Sequence, residues 1–288
     1  MKKGVIICFR WSAIVLVALA LIYMVLLIAS ALMLRGANNE LRKAGRPMTS
    51  GEVIPHPIDD VENAALLYQA AILCIRAEDA HKIGLTRHLQ NLTKDYLDNP
   101  ENPDLIEEWR SLLRHDAVIR ALQLVEEGIK RSRCLFDLNY NDGAAMKLSH
   151  LSTVRPLGQM LCIRAKLAAA AGDMDAAWRH IVTGARFAEA LREEPLLISQ
   201  LLRYAQIVSV YKTITEMVEI GLPDDETLQI LKALFQSWDE TQSLIHTMDA
   251  ERILFGEWAF RQSRLSLVNV YLKRSITSWE SFGLLCTP

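Results

Sequence analysis

Two neighbouring glutamates, Glu193 and Glu194, are the residues that come nearest to an acid–base pair in this sequence. Glycoside hydrolysis uses two carboxylates across one bond, and Arg203 follows on the next predicted helix. Adjacent residues point in different directions, however, so this spacing alone forms no catalytic pair. We interpret the site as a helix break at Pro195, where a carboxylate meets a helix N-terminus, a contact worth about 0.3 to 1 kcal/mol.

A loop around residue 140 has the alternating oxygen ligands of a calcium site, at Asp137, Asn139 and Asn141. In the EF-hand loop, glycine is sixth and a bidentate glutamate is twelfth, whereas here those positions hold Asp142 and Leu148. Asparagine and aspartate also bond to their own backbone in ordinary turns. The loop is therefore predicted to be a polar turn and not a calcium site.

The histidines have no spacing that predicts a metal site or a catalytic base. His81 and His88 are seven apart and could share a helix face, but Gly84 lies between them and no carboxylate follows at i+4. The hydrolase motifs G-x-S-x-G and H-E-x-x-H do not occur. Three isolated histidines are interpreted as surface or helix-cap residues: His115, His150 and His180. The sequence thus predicts no catalytic residue, no metal ligand and no cofactor, and an enzyme is the less favoured class.

The five cysteines are also interpreted as structural. Cys8 belongs to the apolar N-terminal segment. The other four are too widely spaced for a C-x-x-C motif: Cys74, Cys134, Cys162 and Cys286. Cysteine is commonly a small core residue in helices, although one or two bridges remain open if the domain is extracytoplasmic.

An uncharged apolar run of 24 residues, from Trp11 to Leu34, precedes all of these candidate residues except Cys8. About 20 helical residues suffice to cross roughly 30 Å of hydrocarbon, so the run predicts a transmembrane helix in contact with the lipid bilayer through residues 11–34. A cleaved signal peptide is the alternative, because Ala29, Ser30 and Ala31 resemble a cleavage site. Signal peptides have apolar regions of only 7 to 15 residues, so we favour an uncleaved anchor.

Basic residues flank the run on both sides. Lys2, Lys3 and Arg10 precede it, and a basic collar follows at residues 35–46. The numbers of basic residues on the two sides are nearly equal, so the positive-inside rule gives little preference for either orientation. Long C-terminal domains translocate largely regardless of charge. We therefore expect a single-pass inner-membrane protein with a cytoplasmic N-terminus and an extracytoplasmic helical domain.

The charge of the remaining chain argues against one class of partner. From totals of 32 basic and 34 acidic residues, the chain after residue 46 retains 25 and 33, a net charge near −8. Such a surface would repel phosphate backbones, so nucleic-acid binding is not expected.

The segment 46–60 has three prolines and one glycine and no helical period, which predicts a linker after residues 1–45. A helical domain is expected over 61–275 and a tail over 276–288. In the tail, Trp279, Phe282, Leu284 and Leu285 would dock on the domain or touch the membrane.

Apolar residues at helical spacing recur through the whole domain, with no competing strand pattern. The first predicted helix begins at Val61, capped by Asp59 and Asp60, and the second spans Leu85 to Leu97. Asn102 is the predicted cap of one long helix that runs from Pro103 through Val125. The next two helices span Leu151 to Ala171 and Met174 to Leu191, and Asp173 is the predicted cap of the second. The last three begin at Pro195, run from the cap Asp224 through Ile245, and span Met248 to Tyr271. The helix after Pro195 has a predicted apolar face of Ile198, Leu201, Leu202, Ala205, Val208, Tyr211 and Met217. Short connections between antiparallel helices indicate an all-α fold, a bundle or a short α-solenoid.

Residues 161–188, LCIRAKLAAAAGDMDAAWRHIVTGARFA, resemble a tetratricopeptide helical hairpin. Gly172 and Asp173 fall at the turn, and the small or packing positions are Ala165, Ala168, Ala177, Ile181 and Gly184. The segment departs from the pattern at Arg164 and Glu189, and no clear copy lies 34 residues away. The resemblance implies tetratricopeptide-like packing.

The anchor, ENAALLY at 62–68, the GDMDAAW turn and EEPLLISQLLRYA at 193–205 together resemble a group of uncharacterised bacterial membrane-anchored helical proteins. That resemblance implies an anchored helical chain and transfers no activity.

Two classes of function remain. The preferred one is a membrane-tethered helical protein-interaction scaffold, in which a groove between hairpins receives a protein or peptide partner. The alternative is an enzyme or small-ligand-binding protein with a pocket between bundle helices. An open apolar groove would favour the first class, and a closed pocket with converging polar groups the second.

Overall fold

The computed structural model describes residues 2–80, 84–238, 240–256 and 258–259. Helices account for 76% of the chain, and no strand occurs in the described part. The predicted all-α fold is therefore confirmed. The chain forms two compact units, Met1–Glu52 and Val53–Pro288.

The first unit consists mainly of one long helix, α1, which spans Lys2–Lys43. Its 42 residues extend about 63 Å at 1.5 Å per residue, and the stretch Val17–Lys43 contains an unburied apolar window of membrane-spanning length. The helix ends where Gly45 adopts a φ of 67° and the Arg46 N–H donates to the Leu41 carbonyl. One N-terminal helix is therefore long and apolar enough to span a membrane.

The remaining helices follow in chain order. They are α2 (Ser50–Val53), α3 (Ala65–Ala80), α4 (Leu85–Asp98), α5 (Pro103–Leu113), α6 (Asp116–Gly128), α7 (Leu151–Ala170), α8 (Met174–Ala188), α9 (Leu197–Val218), α10 (Asp225–Gln236) and α11 (Glu240–Glu251). Short 3₁₀ segments occur at Tyr140–Ala145 and Glu189–Leu191, and a π-helical turn occurs at Arg252–Gly256. The short helix α2 lies within the predicted linker, and Val53 packs in a core cluster with Leu196 and Ile253.

Several helix starts follow from local capping chemistry, as the sequence predicts. The side chain of Asn102 accepts from the Asp104 N–H ahead of α5, with Pro103 in the first turn. Asp173 and Asp224 cap α8 and α10 in the same way. These three predicted caps are confirmed.

The predicted long helix from Pro103 through Val125 is wrong, because it is two helices. The chain breaks at Arg114 and His115, where His115 Nδ1 accepts from the Ala117 N–H at 3.2 Å and caps α6. The prediction that His115 is a cap is thus confirmed. The apolar period continues across the break because both helices contribute to the same core cluster.

The predicted start of α3 at Val61 is also wrong, because Asn63 fixes the start four residues later. Asn63 Oδ1 accepts from the backbone N–H groups of both Ala65 and Leu135, and its amide nitrogen donates to the Leu135 carbonyl. Leu135 lies 72 residues from Asn63 in the sequence, so local residue spacing could not predict this contact.

Two further boundaries differ from prediction. The helix from Asp224 ends at Gln236, and a new helix begins at Glu240. The chain after Pro195 becomes helical at Leu197. Of the helix predicted over Met248 to Tyr271, the first residues belong to α11 and the π-helical turn, while residues 260–271 and the tail at 276–288 lie outside the described residues.

The predicted hairpin is present as α7, a turn with Gly172 at a φ of 83°, and α8. Ala165, Ala177 and Ile181 are buried in a core cluster shared with α9 and α10. Arg164, where the pattern expects an apolar residue, is partly exposed, and its guanidinium lies 2.8 Å from the carboxylate of Glu126. The relation of this hairpin to tetratricopeptide repeats stays a prediction.

Candidate functional site

Helix α9 exposes the apolar side chains that the sequence pattern assigns to its core face. The exposed fractions are 51% for Ile198, 54% for Leu201 and 62% for Val208, and Tyr211 is exposed as well. Of the predicted apolar face, only Met217 is fully buried, and Leu202 is half-buried. The prediction that this face packs in the core is therefore wrong.

The inner face of α9 is instead largely polar. Its buried residues are Ser199, Gln200, Arg203, Gln206, Ile207, Val210, Thr213 and Met217. Arg203 is only 1% exposed. Polar and apolar residues both recur at helical spacing along α9, so the sequence holds two competing faces. That double period is the signal that sequence reasoning missed.

Two residues of this polar inner face, Gln200 and Arg203, are buried against the turn that connects α8 to α9. Gln200 Nε2 donates to the carbonyls of Leu191 and Glu194, each at 2.8 Å. Arg203 donates through Nε and Nη2 to one oxygen of Glu189, at 2.9 and 2.8 Å. These hydrogen bonds offset most of the desolvation cost of burying the polar side chains. An apolar residue at either position would leave the acceptors of the turn without a donor.

The two adjacent glutamates have different partners, which agrees with the expectation that neighbouring side chains point in different directions. Glu193 is partly exposed and pairs with Arg133 through both of its oxygens. Glu194 is fully buried, its Oε2 accepts from Ser199 Oγ at 2.5 Å, and its Oε1 lies 2.8 Å from His150 Nε2. The two carboxylates therefore do not share one reaction site.

Neither glutamate caps α9, which corrects the interpretation of the Pro195 break. The carboxylate that meets this helix N-terminus belongs to Glu251, whose Oε1 accepts from the Leu197 N–H at 2.8 Å. Glu251 lies at the end of α11, so the cap is a tertiary contact.

His150 is a core residue and not the predicted surface or cap residue. It is buried, stacks on Phe136 with 4.3 Å between ring centroids, and makes no capping bond although it precedes α7. The stacked imidazole has little contact with water, so His150 is not a surface residue, and its side chain does not cap α7.

Ser199, Glu194 and His150 are the residue types of a hydrolase triad, but their order of contact is different. A nucleophilic serine needs the imidazole between its hydroxyl and the carboxylate, whereas here the carboxylate lies between serine and histidine. Nearby, burial and then the charge of Glu194 raise the pKa of the Cys134 thiol and of the Tyr140 phenol. A protonated thiol is a poor nucleophile, and the imidazole and the serine hydroxyl lie against different oxygens of the Glu194 carboxylate.

The remaining candidate ligands are dispersed. Asn139 Oδ1 accepts from the Asn141 N–H, and Asn139 Nδ2 donates to Asp142, as in the predicted polar turn. Within the described residues, no group of three or more histidine, cysteine or acidic side chains is placed to hold a metal. His88 lies 3.5 Å from Glu108 on an exposed face, and His81 lies outside the described residues.

The other titratable candidates are partly or fully buried. His180 is half-buried and not a surface or cap residue, and desolvation followed by the charge of Arg164 lowers its pKa to about 4. Cys74, Cys134 and Cys162 are free thiols, and burial raises the pKa of Cys162 to about 11. Cys286 lies beyond the part of the chain that the structure describes.

An open groove of about 830 Å³ runs between α4, α7 and α9. Its apolar wall includes Leu97, Pro156, Ile198, Leu201 and Leu202. The outward face of α9 is therefore one side of this groove.

Two cations and one acid lie at the groove. Lys94 and Arg155 are exposed and form no ion pair with any described residue, and Asp98 is the acid beside them. The groove is thus apolar with a small excess of positive charge.

No protein-family model, curated protein or solved structure matches this chain.

Proposed function

We propose that this protein is a membrane-tethered helical interaction module whose groove between α4, α7 and α9 binds an amphipathic segment of a partner protein. The observation that carries the proposal is that two apolar side chains of α9, Ile198 and Leu201, are more than half exposed and line this groove. Contiguous exposed apolar surface is uncommon on soluble domains and is typical of interaction sites.

The groove limits the chemistry of the occupant. The residues of α9 that line the groove extend from Ile198 to Ala205, seven residues or about 11 Å, which matches roughly two turns of a partner helix. Such a helix would present apolar side chains at i, i+3 or i+4 and i+7. Because Lys94 and Arg155 are unpaired among the described residues, acidic side chains beside that apolar row would complement them.

The groove proposal predicts the outcome of one charge substitution. Leu201→Glu places a carboxylate in the apolar wall, so capture of the partner from detergent-solubilised membranes should fall about tenfold or more, since burying an unpaired charge costs more than 1.4 kcal/mol. The full-length protein should keep its melting temperature, because Leu201 is exposed. Titration of a synthetic amphipathic helix with an acidic flank gives the direct affinity.

Leu222→Glu is the matched control, since Leu222 is exposed and lies outside the groove. Equal capture by the wild type and both variants, or equal affinity for the probe helix and a scrambled sequence, would refute the groove as the binding site. A stoichiometric partner lost only with Leu201→Glu supports it.

We further propose that α1 anchors the chain in the inner membrane through residues 11–34, with the N-terminus cytoplasmic and the helical unit outside. The length of the apolar run supports this, because 24 residues exceed what a span needs. Carbonate extraction should leave a full-length protein in the membrane, and a C-terminal reporter that requires export should be active. Release of a shortened chain starting near Leu32, or activity of only a cytoplasmic reporter, would overturn the anchor or its orientation respectively.

A further inference from the structure

A second cavity, of about 270 Å³, lies on a different part of the helical unit. It is bounded by the segment 131–134, the end of α8, the 3₁₀ segment Glu189–Leu191 and the end of α10. It shares no lining residue with the groove. Its chemistry can therefore be considered separately from the proposed function.

Six of the fourteen residues that line this cavity are charged. Four arginines line it, namely Arg131, Arg133, Arg186 and Arg192, together with two acids, Glu189 and Glu193. The cavity thus has two more positive than negative side chains. This excess is notable because the chain after residue 46 is strongly acidic overall.

Three of the arginines are held in place by bonds to the protein. Arg133 donates to both oxygens of Glu193, at 3.1 and 2.5 Å. Arg192 donates to Glu189 and to the Ser237 carbonyl, at 3.2 and 3.1 Å. Each of these two arginines is thus paired with one of the two glutamates of the cavity.

Two of the positive charges have no carboxylate to neutralise them. Arg131 donates through Nη1 only to the backbone carbonyls of Asp60 and Asn63, at 2.6 and 2.7 Å. Arg186 is half-buried on the last turn of α8 and makes no hydrogen bond or ion pair with the described residues. Glu189, which follows Arg186 by three residues, is already bonded to Arg203 and Arg192.

From this arrangement we infer that the cavity is a binding site for an oxyanion, the phosphate or carboxylate group of a small ligand, with Arg186 and Arg131 as its main charged donors. A guanidinium presents five N–H donors in a planar fork that matches both groups. A partly buried site strengthens such charge-assisted hydrogen bonds, because water screens them less.

The test is calorimetric titration of the full-length detergent-solubilised protein with inorganic phosphate and, separately, with citrate at matched ionic strength. Saturable binding of at least one anion is expected, and the anion that binds more tightly identifies the phosphate or the carboxylate class. Arg186→Gln should weaken that binding about tenfold or more, because it removes a charge-assisted hydrogen bond. Arg186→Lys should restore part of the loss, since it returns the charge without the fork.

Arg179→Gln is the matched control, because Arg179 is an exposed arginine on the same helix that does not line the cavity. A non-specific effect of phosphate on the protein surface would give the same heat of titration in all variants. Absence of saturable binding to either anion, or equal affinity in wild type, Arg186→Gln and Arg179→Gln, would overturn the inference and leave Arg186 as a cation at a helix end. Neither outcome depends on partner capture by the groove.

Discussion

Glu194→Ala is expected to lower the free energy of unfolding by about 2 to 5 kcal/mol, because it removes the acceptor of a buried hydroxyl and leaves a cavity. Glu194 is fully buried, and the substitution leaves the Ser199 hydroxyl and the His150 imidazole without their carboxylate partner. It also opens a cavity where the side chain was. Thermal and denaturant unfolding of the detergent-solubilised protein, followed by tryptophan fluorescence, measures the loss.

The adjacent residue provides the control. Glu193→Ala removes a carboxylate of the same size from a partly exposed pair with Arg133, and such pairs contribute about 0 to 1 kcal/mol. The ratio of the two losses is the informative quantity, because composition and chain position are nearly identical. Similar losses for both variants would show that Glu194 does not occupy the buried network described above.

Gly143→Ala should be the second severe substitution, with an expected loss of about 2 to 5 kcal/mol from backbone strain and overpacking together. Gly143 has a φ of 51° and a ψ of −126°, which residues with a Cβ rarely adopt. A Cβ at this position would overlap the indole ring of Trp258. The melting temperature should fall, and the near-ultraviolet circular dichroism of tryptophan should change.

Gly172→Ala separates strain from overlap. Gly172 also has a positive φ, of 83°, but a Cβ there would meet no atom within 4 Å. Its expected loss is therefore only the left-handed strain, about 1 to 2 kcal/mol. If the two alanine variants are equally stable, the close approach of Trp258 to Gly143 contributes nothing.

The parts of this fold that local chemistry determines can be predicted from the sequence. Asn102, Asp173 and Asp224 cap helices through atoms only two or three residues away, so their positions suffice. The apolar N-terminal helix is equally local. By contrast, the start of α3 depends on Leu135, and the N-terminus of α9 depends on Glu251, which are both distant in sequence.

The orientation of α9 illustrates the limit of periodicity most clearly. Apolar spacing alone predicts Ile198 and Leu201 inside, but Gln200 and Arg203 have binding partners in the turn before the helix. A prediction from apolar spacing considers only the free energy of transferring each side chain from water to an apolar interior. It does not include hydrogen bonds whose partners are positioned only in the folded chain. The arginine-lined cavity was missed for a related reason, because its charged residues come from two segments more than fifty residues apart.

The inverted helix α9 has a consequence for how this protein can evolve. At position 200, an amide nitrogen must reach two carbonyls of one turn while the amide oxygen accepts from Ser243, and few side chains have that shape. Folding does not require apolar side chains at Ile198 and Leu201, so without another selection polar substitutions would accumulate at these positions. Retention of apolar residues at those two positions among descendants would therefore record selection by a partner, whereas retention of Gln200 would record only selection for folding.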